Sequence, residues 1–474
     1  MIYFKQISWL HQNLSYPLLK LWGSSPKLVD FTRRIAFGSY DYRKWYKLLK
    51  KMENWPIEKI HEFQYEKLKK ILEHAYKNVP FYKELWDKHK VKPSDVKSLK
   101  DLEKLPIITK DDILKNYSKI FAINKNYKNN MYRDSSGTSG KPIKFYHDEE
   151  SIGANWAGDK YFKEIIGYEM GKDVVLHIPV VNEQMYLLPE SHIIFNNYYP
   201  VTKQVSFKPD IMGDNVFEGY LKYIKKFNIK HIEGFPSSHF AFVKYLKKKK
   251  KKIRIKSILS HSEVLYDSQK KFIEKYFGCK VFNRYASSEC TIRAYKCHEH
   301  KGMHISPQGI AEVKGKGFEG KGELVMTSLV NYLFPLIRYS IKDIVTITQK
   351  KCSCGRTYPR IMNVEGRSND FVMFPNGKSI SPSLLFFSIV YIKGIKDIYF
   401  LQHKNYSLDI LVVKEKNISQ DKIIKELKNL LNNSSNGEIN KLKMKIIFKD
   451  KIERKNRKFT VVESKVKSIL NELK

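Results

Sequence analysis

The 474-residue sequence contains no run of about 18 apolar residues, so no segment predicts a transmembrane helix. The longest apolar candidate, Leu384 to Ile392, is too short to cross a bilayer. The first residues, MIYFKQISWLHQNLSYPLLKLW, are amphipathic. They lack the basic, apolar and small-residue regions of a secretory signal, although such a stretch can rest on a membrane surface. We therefore expect a cytoplasmic protein.

Acidic residues are few: 49 Asp and Glu stand against 87 Lys and Arg, which gives a formal charge of +38. Zinc-finger spacing, RNA-recognition aromatics and basic regions with heptads are all missing, so we expect no specific nucleic-acid partner. A lysine run such as Lys247 to Lys252 is usually a solvated face, although non-specific polyanion binding at low salt is expected. The hydrophobic fraction of 42% is enough for cores in two or three domains.

Cysteine is also scarce, and five residues do not make a disulfide scaffold. A Cys-x-Cys turn beside a glycine can direct two sulfurs at one ion, and a Cys and a His from another hairpin can complete a tetrahedral zinc site. The candidate ligands are Cys297, His304, Cys352 and Cys354. His298 and His300 compete for the histidine position. The alternative is a set of inert, partly buried thiols in a reducing compartment.

Residues 1 to about 120 predict helices. In YEKLKKILEHAYKNVPFYKELWDKHK, apolar residues recur at the spacing of one helical face, and the pattern breaks at Pro80. These apolar residues are Leu68, Ile71, Leu72 and Ala75.

From about 130 to 350 the pattern predicts α/β layers. Short apolar runs (DVVLHIPVV, HIEGFPS, SILSHSEVL, CKVFNRYASSE) alternate with amphipathic helices such as Phe217 to Phe227 and Ser268 to Phe277. Residues 312 to 348 predict consecutive strands, AEVKGK, GELVMTS, PLIRYSI and DIVTIT.

From residue 371 the pattern changes to a hairpin, a helix (Asp421 to Leu431), a strand (KMKIIFK) and a final helix. The polar, turn-like EGRSND lies between these unlike segments. We therefore expect an N-terminal domain of residues 1–366, a C-terminal domain of residues 367–474, and a hinge near 366–370.

The segment RDSSGTSGKPIKFYHD, residues 133 to 148, combines glycines, hydroxyls and a lysine. It is not a Walker A loop, because only two residues separate Gly137 from Gly140 and Pro142 follows Lys141. The alternation that follows predicts a strand–loop–strand unit. Glycines let the backbone approach a polyanion, and the hydroxyls and the lysine can bind phosphate oxygens; the alternative is a flexible surface linker.

This loop resembles the phosphate-binding loop of the adenylate-forming (acyl- and aryl-CoA synthetase) superfamily. The branch that it resembles is that of the phenylacetate–CoA ligases, which includes capsular-polysaccharide biosynthesis proteins and coenzyme F390 synthetases. Further motifs follow in the family's order: HAYKNVPFYKELW, NRYASSE, GELVMTSLVNYLFPLIRYSIKD, VEGRSNDFV and KIERKNRKFTVVESKV. The resemblance implies a large N-terminal α/β domain with a small, mobile C-terminal α+β lid.

The resemblance also implies a set of ATP-binding residues. They are Ser135, Ser136, Gly137, Thr138, Ser139, Gly140, Lys141, Ser262, Glu263, Tyr285, Ala286, Ser287, Ser288, Asp343 and Arg367. Tyr285 would stack on adenine, although a core tyrosine is the alternative. Asp343, at the end of a strand, would bind the ribose hydroxyls with two acceptor oxygens.

Further assignments follow, and those of Arg338, Ser262 and Glu263 have open alternatives. Glu289 is the expected ligand of the Mg²⁺ that bridges the ATP phosphates, because hard cations prefer carboxylate oxygen. Arg338 would contact phosphate or orient Asp343, and a purely structural ion pair explains it as well. Ser262 and Glu263 would line the adenine pocket, or cap a helix. The acyl pocket is expected to start at Phe235, Pro236 and Ser237.

Lys458 is the expected catalytic lysine, because it lies four residues after Arg454 and just before an aromatic residue. Lid closure would bring its ammonium to the carboxylate and the α-phosphate, where it offsets charge as pyrophosphate leaves. Two positions depart from the family. Ile341 and Lys342 replace the usual Thr-Gly, and Arg457 replaces the glycine before the lysine. The family also carries Cys-x₆-His and Cys-x-Cys here, which favours a structural zinc site.

The expected reaction joins a carboxylate to the α-phosphate of ATP and then passes the acyl group to a second nucleophile. That acceptor is coenzyme A, or an amine or hydroxyl of a surface-polysaccharide precursor. The alternatives are transfer of AMP to a cofactor, as in F390 synthetases, and a polyanion-binding protein without catalysis. A monomer and a homodimer are both open.

Overall fold

The computed structural model describes the chain between residues 40 and 466, with gaps. The described residues are 40–126, 130–134, 143–170, 172–178, 197–199, 204–206, 214–299, 301–367, 371–376, 378–380, 382, 385, 392–415, 417–435, 437–453 and 461–466. Helices and strands are numbered in chain order over these residues. Within them, no helix has both the length and the apolar composition of a membrane span.

The N-terminal layer is helical, as predicted for the described part of residues 1 to 120. Its elements are α1 (Tyr40–Met52), α2 (Ile57–Asn78), α3 (Pro80–Lys88), β1 (Ile108–Thr109) and α4 (Lys110–Lys115). The four apolar residues predicted to share a face of α2 are all buried. Pro80 starts α3 at its first position, where its missing amide breaks no helical hydrogen bond. The prediction for residues 1–39 lies outside the described residues.

Two antiparallel strands flank the Gly/Ser-rich loop, so the strand–loop–strand prediction is confirmed. They are β2 (Met131–Asp134) and β3 (Lys144–His147). Ile143, Phe145 and His147 are buried, whereas Lys144 between them is exposed. Asp148 then caps α5 (Glu149–Ile165) by accepting a hydrogen bond from the Ser151 amide at 3.1 Å.

A large mixed sheet confirms the α/β prediction. Its parallel part is formed by β4 (Val175–Ile178), β6 (Gln204–Ser206), β7 (His231–Gly234), β8 (Ser257–His261) and β9 (Val281–Ala286), with β5 (Asn197–Tyr199) antiparallel at its end. The helices α6 (Asp214–Lys226), α7 (Pro236–Lys248) and α8 (Asp267–Phe277) precede β7, β8 and β9 in turn. This order places the carboxyl ends of the parallel strands at one edge of the sheet.

The sheet continues as antiparallel strands beyond β9. These are β10 (Arg293–Lys296), β11 (Met303–Ile305), β12 (Gly309–Val313), β13 (Gly320–Ser328), β14 (Tyr339–Thr348) and β15 (Arg360–Arg367). The prediction of separate strands for PLIRYSI and DIVTIT is wrong, because residues 339–348 form one strand. Lys342 at φ 65° and shifts in the strand pairing give β14 an irregular middle without ending it.

A second, smaller sheet lies in the C-terminal part. After the hairpin β16 (Val372–Met373) and β17 (Ser379–Ile380), the order is β20-β19-β18-β21. Its elements are β18 (Ile395–Gln402), β19 (Leu408–Lys414), α9 (Gln420–Ser434), β20 (Met444–Phe448) and β21 (Val462–Ser464). The predicted hairpin, helix and strand are confirmed, and the predicted final helix lies outside the described residues. The boundary at residue 366 stays a prediction.

Buried apolar side chains join these layers. Trp86 and Leu68 of the N-terminal layer share a cluster with Phe334 and the antiparallel strands. Trp45 of α1 and Tyr161 of α5 pack toward the parallel strands. A further cluster joins the helices α6 to α8 to the C-terminal sheet, for example through Phe400. The sheet edge that follows β7, β8 and β9 is thus held by cores on both faces.

Candidate active site at the carboxyl edge of the parallel strands

Three segments predicted to bind ligands follow three adjacent strands. Residues 235–237 follow β7, residues 262–263 follow β8, and residues 285–289 end β9 and enter the next turn. Because β7, β8 and β9 are neighbouring parallel strands, their carboxyl ends bring these segments to one edge. We refer to this edge as the catalytic edge.

His147 connects the hairpin of the Gly/Ser-rich loop to this edge. Its Nε2 atom donates a hydrogen bond to the Ser288 carbonyl oxygen at 3.2 Å. Burial, and then the charge of Arg133, lower the pKa of His147 to about 3, so the imidazole is neutral. The end of β3 is therefore fixed against the NRYASSE motif. The loop residues Ser135 to Lys141 themselves lie outside the described residues.

Tyr285 and Asp343, both predicted to bind the nucleoside, are in contact. The Tyr285 hydroxyl donates a hydrogen bond to Asp343 Oδ2 at 2.7 Å, although the two residues belong to β9 and β14. Arg367 is the strand partner of Asp343 on β15, and Gly366 beside it has φ 111°. The Arg367 side chain is outside the described residues. The three predicted positions thus converge beside the proposed hinge.

Asp343 lies in the middle of β14, and the prediction that it ends a strand is wrong. The preceding Lys342 has φ 65°, a left-handed conformation that favours glycine. Its amide donates to Ser340 Oγ at 3.1 Å, and the Ser340 hydroxyl in turn donates to Glu323 at 2.5 Å. This φ agrees with the glycine that the resemblance implies at the position of Lys342. The irregular backbone there turns the Asp343 carboxylate toward Tyr285.

Glu289 is buried in the turn after β9. The turn is closed by the Cys290 amide, which donates to the Ser287 carbonyl at 3.1 Å. Glu289 is only 9% exposed to solvent. Arg284 and Arg293, the nearest cations in the sequence, both pair with Asp159 instead. No basic side chain in the described part of the chain forms an ion pair with Glu289, so its carboxylate suits a bound cation.

Ser262 and Glu263 do not cap the helix that follows them, because the N-cap of α8 is Tyr266. Glu263 instead accepts a hydrogen bond from the Ser237 amide at 3.1 Å, at the amino end of α7. A carboxylate there compensates the partial positive charge of the helix terminus. Ser262 has φ 69°, and its hydroxyl lies 2.9 Å from His261 Nδ1. Glu263 therefore does bind a helix terminus, as the alternative predicted. The helix is α7, which precedes Glu263, and not α8, which follows it.

Arg338 forms a buried ion pair. Its Nη2 atom lies 3.1 Å from a carboxylate oxygen of Glu312. Its Nη1 atom donates to the carbonyl of Glu103 at 2.8 Å and also to the carbonyl of Leu105. The side chain thus joins the start of β14 to the N-terminal layer. This geometry favours the structural alternative over a catalytic role for Arg338.

A buried polar network behind β9 was not foreseen from the sequence. Asp159 of α5 lies 2.6 Å from Arg284 and also pairs with Arg293. Although burial raises the pKa of Asp159, the two arginines hold it at about 2. Glu233 of β7 lies 2.7 Å from Lys163 and 3.5 Å from His261.

This network fixes the strand position just before Tyr285. The sequence feature that could have indicated this network is a charged residue within each of two apolar strand patterns, HIEG and NRYA.

The four predicted metal ligands form a second, separate cluster. Cys297 Sγ lies 3.9 Å from Cys352 Sγ, and Cys354 Sγ lies 3.4 Å from His304 Nε2. All four ligand atoms lie within 4.8 Å of one another. Gly355, at φ 89°, closes the Cys-x-Cys turn with a hydrogen bond from its amide to the Cys352 carbonyl. Of the competing histidines, His298 contacts Phe282 instead, and His300 is outside the described residues.

The cluster passes a geometric test for zinc. Zn–S distances of about 2.3 Å and Zn–N distances of about 2.0 Å in a tetrahedron place two sulfurs about 3.8 Å apart and a sulfur and a nitrogen about 3.5 Å apart. The observed 3.9 and 3.4 Å agree with these values.

The chain was compared with known proteins. No family model matches the sequence. The phenylacetate-coenzyme A ligase of Thermus thermophilus is 25% identical over 351 residues, which cover 70% of this chain and 75% of that protein. Protein CapK of Staphylococcus aureus is 24% identical over 351 residues, covering 73% and 76%. The crystal structure of 2-hydroxyisobutyryl-CoA ligase with R3-HIB-AMP, in the postadenylation state, superposes with a TM-score of 0.69 at 17% identity, covering 90% and 93%.

The chain is a relative of the phenylacetate–coenzyme A ligases, with the fold of the adenylate-forming ligases. The resemblance drawn from the motifs and the expected fold class are confirmed. In this chain, Tyr285, Asp343 and Glu289 lie at the catalytic edge as described above. Their individual roles stay predictions, as does that of Lys458, which lies outside the described residues.

Proposed function

We propose that this adenylate-forming ligase activates a carboxylic acid with ATP and then transfers the acyl group to coenzyme A. The observation that carries the proposal is the convergence of the Tyr285–Asp343 pair with segments from three strands at the catalytic edge. The supporting comparison is with relatives whose names are those of coenzyme A ligases.

The nucleoside of ATP is assigned to Tyr285 and Asp343. The tyrosine ring offers a face for adenine, and the Asp343 carboxylate has acceptor capacity beyond its bond from Tyr285 Oη for the ribose hydroxyls. Arg367, opposite Asp343, is the second candidate for ribose or phosphate. Residues 262–263, which follow β8, and residues 286–288, at the end of β9, lie at the same edge of the sheet and are assigned to the same nucleotide.

The phosphates are assigned to the loop Ser135 to Lys141 and to Glu289. Mg²⁺ would supply positive charge that offsets the charge of the phosphates. The buried Glu289 carboxylate, which pairs with no described cation, is its proposed protein ligand. His147 positions this segment by holding the Ser288 carbonyl.

In the first step, a carboxylate oxygen of the acid attacks the α-phosphorus. A new O–P bond forms as the bond to pyrophosphate breaks, and the products are the acyl-adenylate and pyrophosphate. Lys458 is proposed to offset the charge that develops on the oxygens, delivered by the C-terminal domain. The division into residues 1–366 and 367–474, with a hinge at 366–370, belongs to the same proposal.

In the second step, the thiol of coenzyme A loses its proton to solvent as its sulfur forms a bond to the acyl carbonyl carbon. The bond between that carbon and the AMP phosphate oxygen breaks, and AMP leaves with the electron pair. An amine or hydroxyl of a surface-polysaccharide precursor is the second candidate acceptor. The similarity to Protein CapK, together with the resemblance to the capsular branch, supports that candidate.

The Cys297, His304, Cys352 and Cys354 cluster is proposed to hold a structural zinc ion. Its donor set of three sulfurs and one imidazole nitrogen, and its spacing, fit a closed tetrahedral site. Such a site has no open position for substrate, so its role is to join the β10–β11 hairpin to the loop between β14 and β15.

The proposed function is tested by mass spectrometry of products formed from ATP, Mg²⁺ and a library of aryl, hydroxy and amino acids, with and without coenzyme A. ATP–pyrophosphate exchange that requires a carboxylic acid supports adenylation. Acyl-coenzyme A as the final product supports the first acceptor, and AMP attached to the small molecule supports nucleotidyl transfer instead. Failure of every acid to support exchange, with ATP still bound, contradicts the proposal.

A further inference from the structure

The amino edge of the parallel strands, opposite the catalytic edge, is strongly basic. β7, β8 and β9 start in register, since His231 pairs with Ser257 and Ile258 pairs with Val281. The segments that lead into them, residues 222–230, 247–256 and 270–280, comprise the ends of α6 and α7, most of α8 and the turns that follow these helices. They contain sixteen basic residues and one acidic residue. We name this surface the basic edge. Its basic residues are Lys222, Lys225, Lys226, Lys230, Lys247 to Lys252, Arg254, Lys256, Lys270, Lys271, Lys275 and Lys280.

The positive charge of the basic edge is exposed and largely uncompensated. Lys247 to Lys252 are all exposed, as are Arg254 and Lys256. The single acid, Glu274, is engaged: it accepts from the Val281 amide at 2.9 Å and lies 3.7 Å from Lys270. In the described part of the chain, no acidic side chain forms an ion pair with Lys247, Lys250, Lys251 or Lys252.

The high lysine content of the whole chain does not account for this. In the N-terminal layer, several lysines are paired with acids. Lys67 lies 2.7 Å from Glu150, and Lys119 lies 2.8 Å from Glu84. On the basic edge, Glu274 is the single acidic residue that could pair with the sixteen basic residues. The result is a single-sign field over three adjacent turns.

The chemistry of the basic edge fits an anionic lipid surface better than a nucleic acid. Fifteen of its sixteen cations are lysines, whose ammonium groups act as point charges. They lack the planar guanidinium of arginine, which donates two parallel hydrogen bonds to a phosphate or a base. Its aromatic residues, such as Phe272 and Tyr276, are half-buried against the core, so they form no stacking platform for bases. Turns at the ends of strands about 4.8 Å apart make a broad surface and not a groove.

We propose that the basic edge docks this protein on an anionic membrane surface. The catalytic edge, at the other end of the same strands, then faces away from the lipid and stays open to substrates. Docking requires no membrane-spanning segment, because polybasic surfaces adsorb to anionic lipid by charge alone. This inference does not depend on the identity of the acid or the acceptor.

The test is cosedimentation with vesicles of phosphatidylcholine and phosphatidylglycerol, compared with phosphatidylcholine alone. The wild type is expected to bind only the anionic vesicles, and salt should release it. The edge variant K250Q/K251Q/K252Q/R254Q should bind more weakly by about fivefold per residue, or more than about 100-fold in all.

The matched control is K47Q/K51Q/K70Q/K77Q, which removes the same charge from exposed lysines of the N-terminal layer. It should retain nearly wild-type binding, and both variants should retain ATP–pyrophosphate exchange. Equal losses in the two variants would mean that charge acts diffusely and would overturn the proposal. An edge variant that still binds, or an oligonucleotide of thymidines that displaces the wild type from vesicles at equal charge concentration, would also overturn it.

Discussion

The Cys–His cluster and the catalytic edge lie on the same large sheet but differ in how completely they are assembled. The cluster brings four ligand atoms within 4.8 Å of one another. At the catalytic edge, Tyr285 and Asp343 meet at 2.7 Å, while Glu289 has no cationic partner among the described residues. A closed donor set suits an ion that stays for the life of the protein. A buried carboxylate left unpaired suits a cation that arrives and leaves with its nucleotide.

The largest effect is expected from removing one ligand of the Cys–His cluster. Cys352→Ser removes one of the four ligands, so the unfolding free energy should fall by about 4 kcal/mol or more, as for the loss of a structural metal. Below the melting temperature, the adenylation rate should stay close to that of the wild type. Elemental analysis should find about one zinc per chain in the wild type. Cys279→Ser, outside the cluster, is the control; equal destabilisation by both variants would contradict a metal site.

For the proposed adenylation reaction at the catalytic edge, Lys458→Ala should slow the rate by about 100-fold or more, which is the contribution expected of one preorganised charge. Transfer from a pre-made acyl-adenylate should be nearly unchanged, because domain rotation would carry the lysine away for that step. Pre-steady-state kinetics of both half-reactions measures this. Lys455→Ala should change neither, and wild-type adenylation by Lys458→Ala would mean that the wrong lysine was chosen.

The buried histidines near the catalytic edge predict loss of stability in acid. Burial first, then the charges of His261 and His177, lower the pKa of His239 to about 3. An unfolded chain takes up the proton near pH 6.5, so this histidine stabilises the fold above that pH and its contribution falls as the pH drops toward 3. Between pH 7 and pH 5 it accounts for about 2 kcal/mol of unfolding free energy.

Urea unfolding at the two pH values should therefore show a smaller pH difference in His239→Gln than in the wild type. The exposed His89→Gln should retain the wild-type difference. Equal differences in all three proteins would contradict a neutral, buried His239.

Glu289→Ala tests whether the unpaired carboxylate is a cation ligand. Calorimetric binding of ATP in Mg²⁺ should weaken by about tenfold, whereas binding without Mg²⁺ should change little. Glu62→Ala, on the exposed surface of α2, should leave both unchanged. Equal affinities of Glu289→Ala and the wild type in Mg²⁺ would remove Glu289 from the site.

The smallest effect concerns the backbone that presents Asp343. Lys342→Gly should raise the unfolding free energy by up to about 1 kcal/mol, because a left-handed φ costs a lysine about that much and costs glycine nothing. Lys350→Gly, near the end of the same sheet region, should not stabilise the protein. A loss of stability in Lys342→Gly would mean that the side chain contributes more than the strain costs.

Local patterns in the sequence were sufficient to predict most of the helices and strands. The apolar face of α2, its end before Pro80, the strands around the Gly/Ser-rich loop and the parallel strands each follow from spacing over a few residues. The order of motifs was sufficient for the resemblance to the family, since six matching segments over most of one chain rarely arise together. The four candidate cysteine and histidine ligands followed from their spacing, and the same resemblance supported them.

Contacts over long sequence separations were decided only by the tertiary structure. Arg338 binds the Glu103 carbonyl 235 residues away, so its structural partner could not be read from PLIRY. Asp159 meets Arg293, 134 residues away, and this network behind β9 had only a weak signal. The basic edge arises because three turns far apart in the sequence start neighbouring strands. Spacing along the chain encodes which face a side chain takes, whereas the pairing of distant charges depends on how the completed layers bring them together.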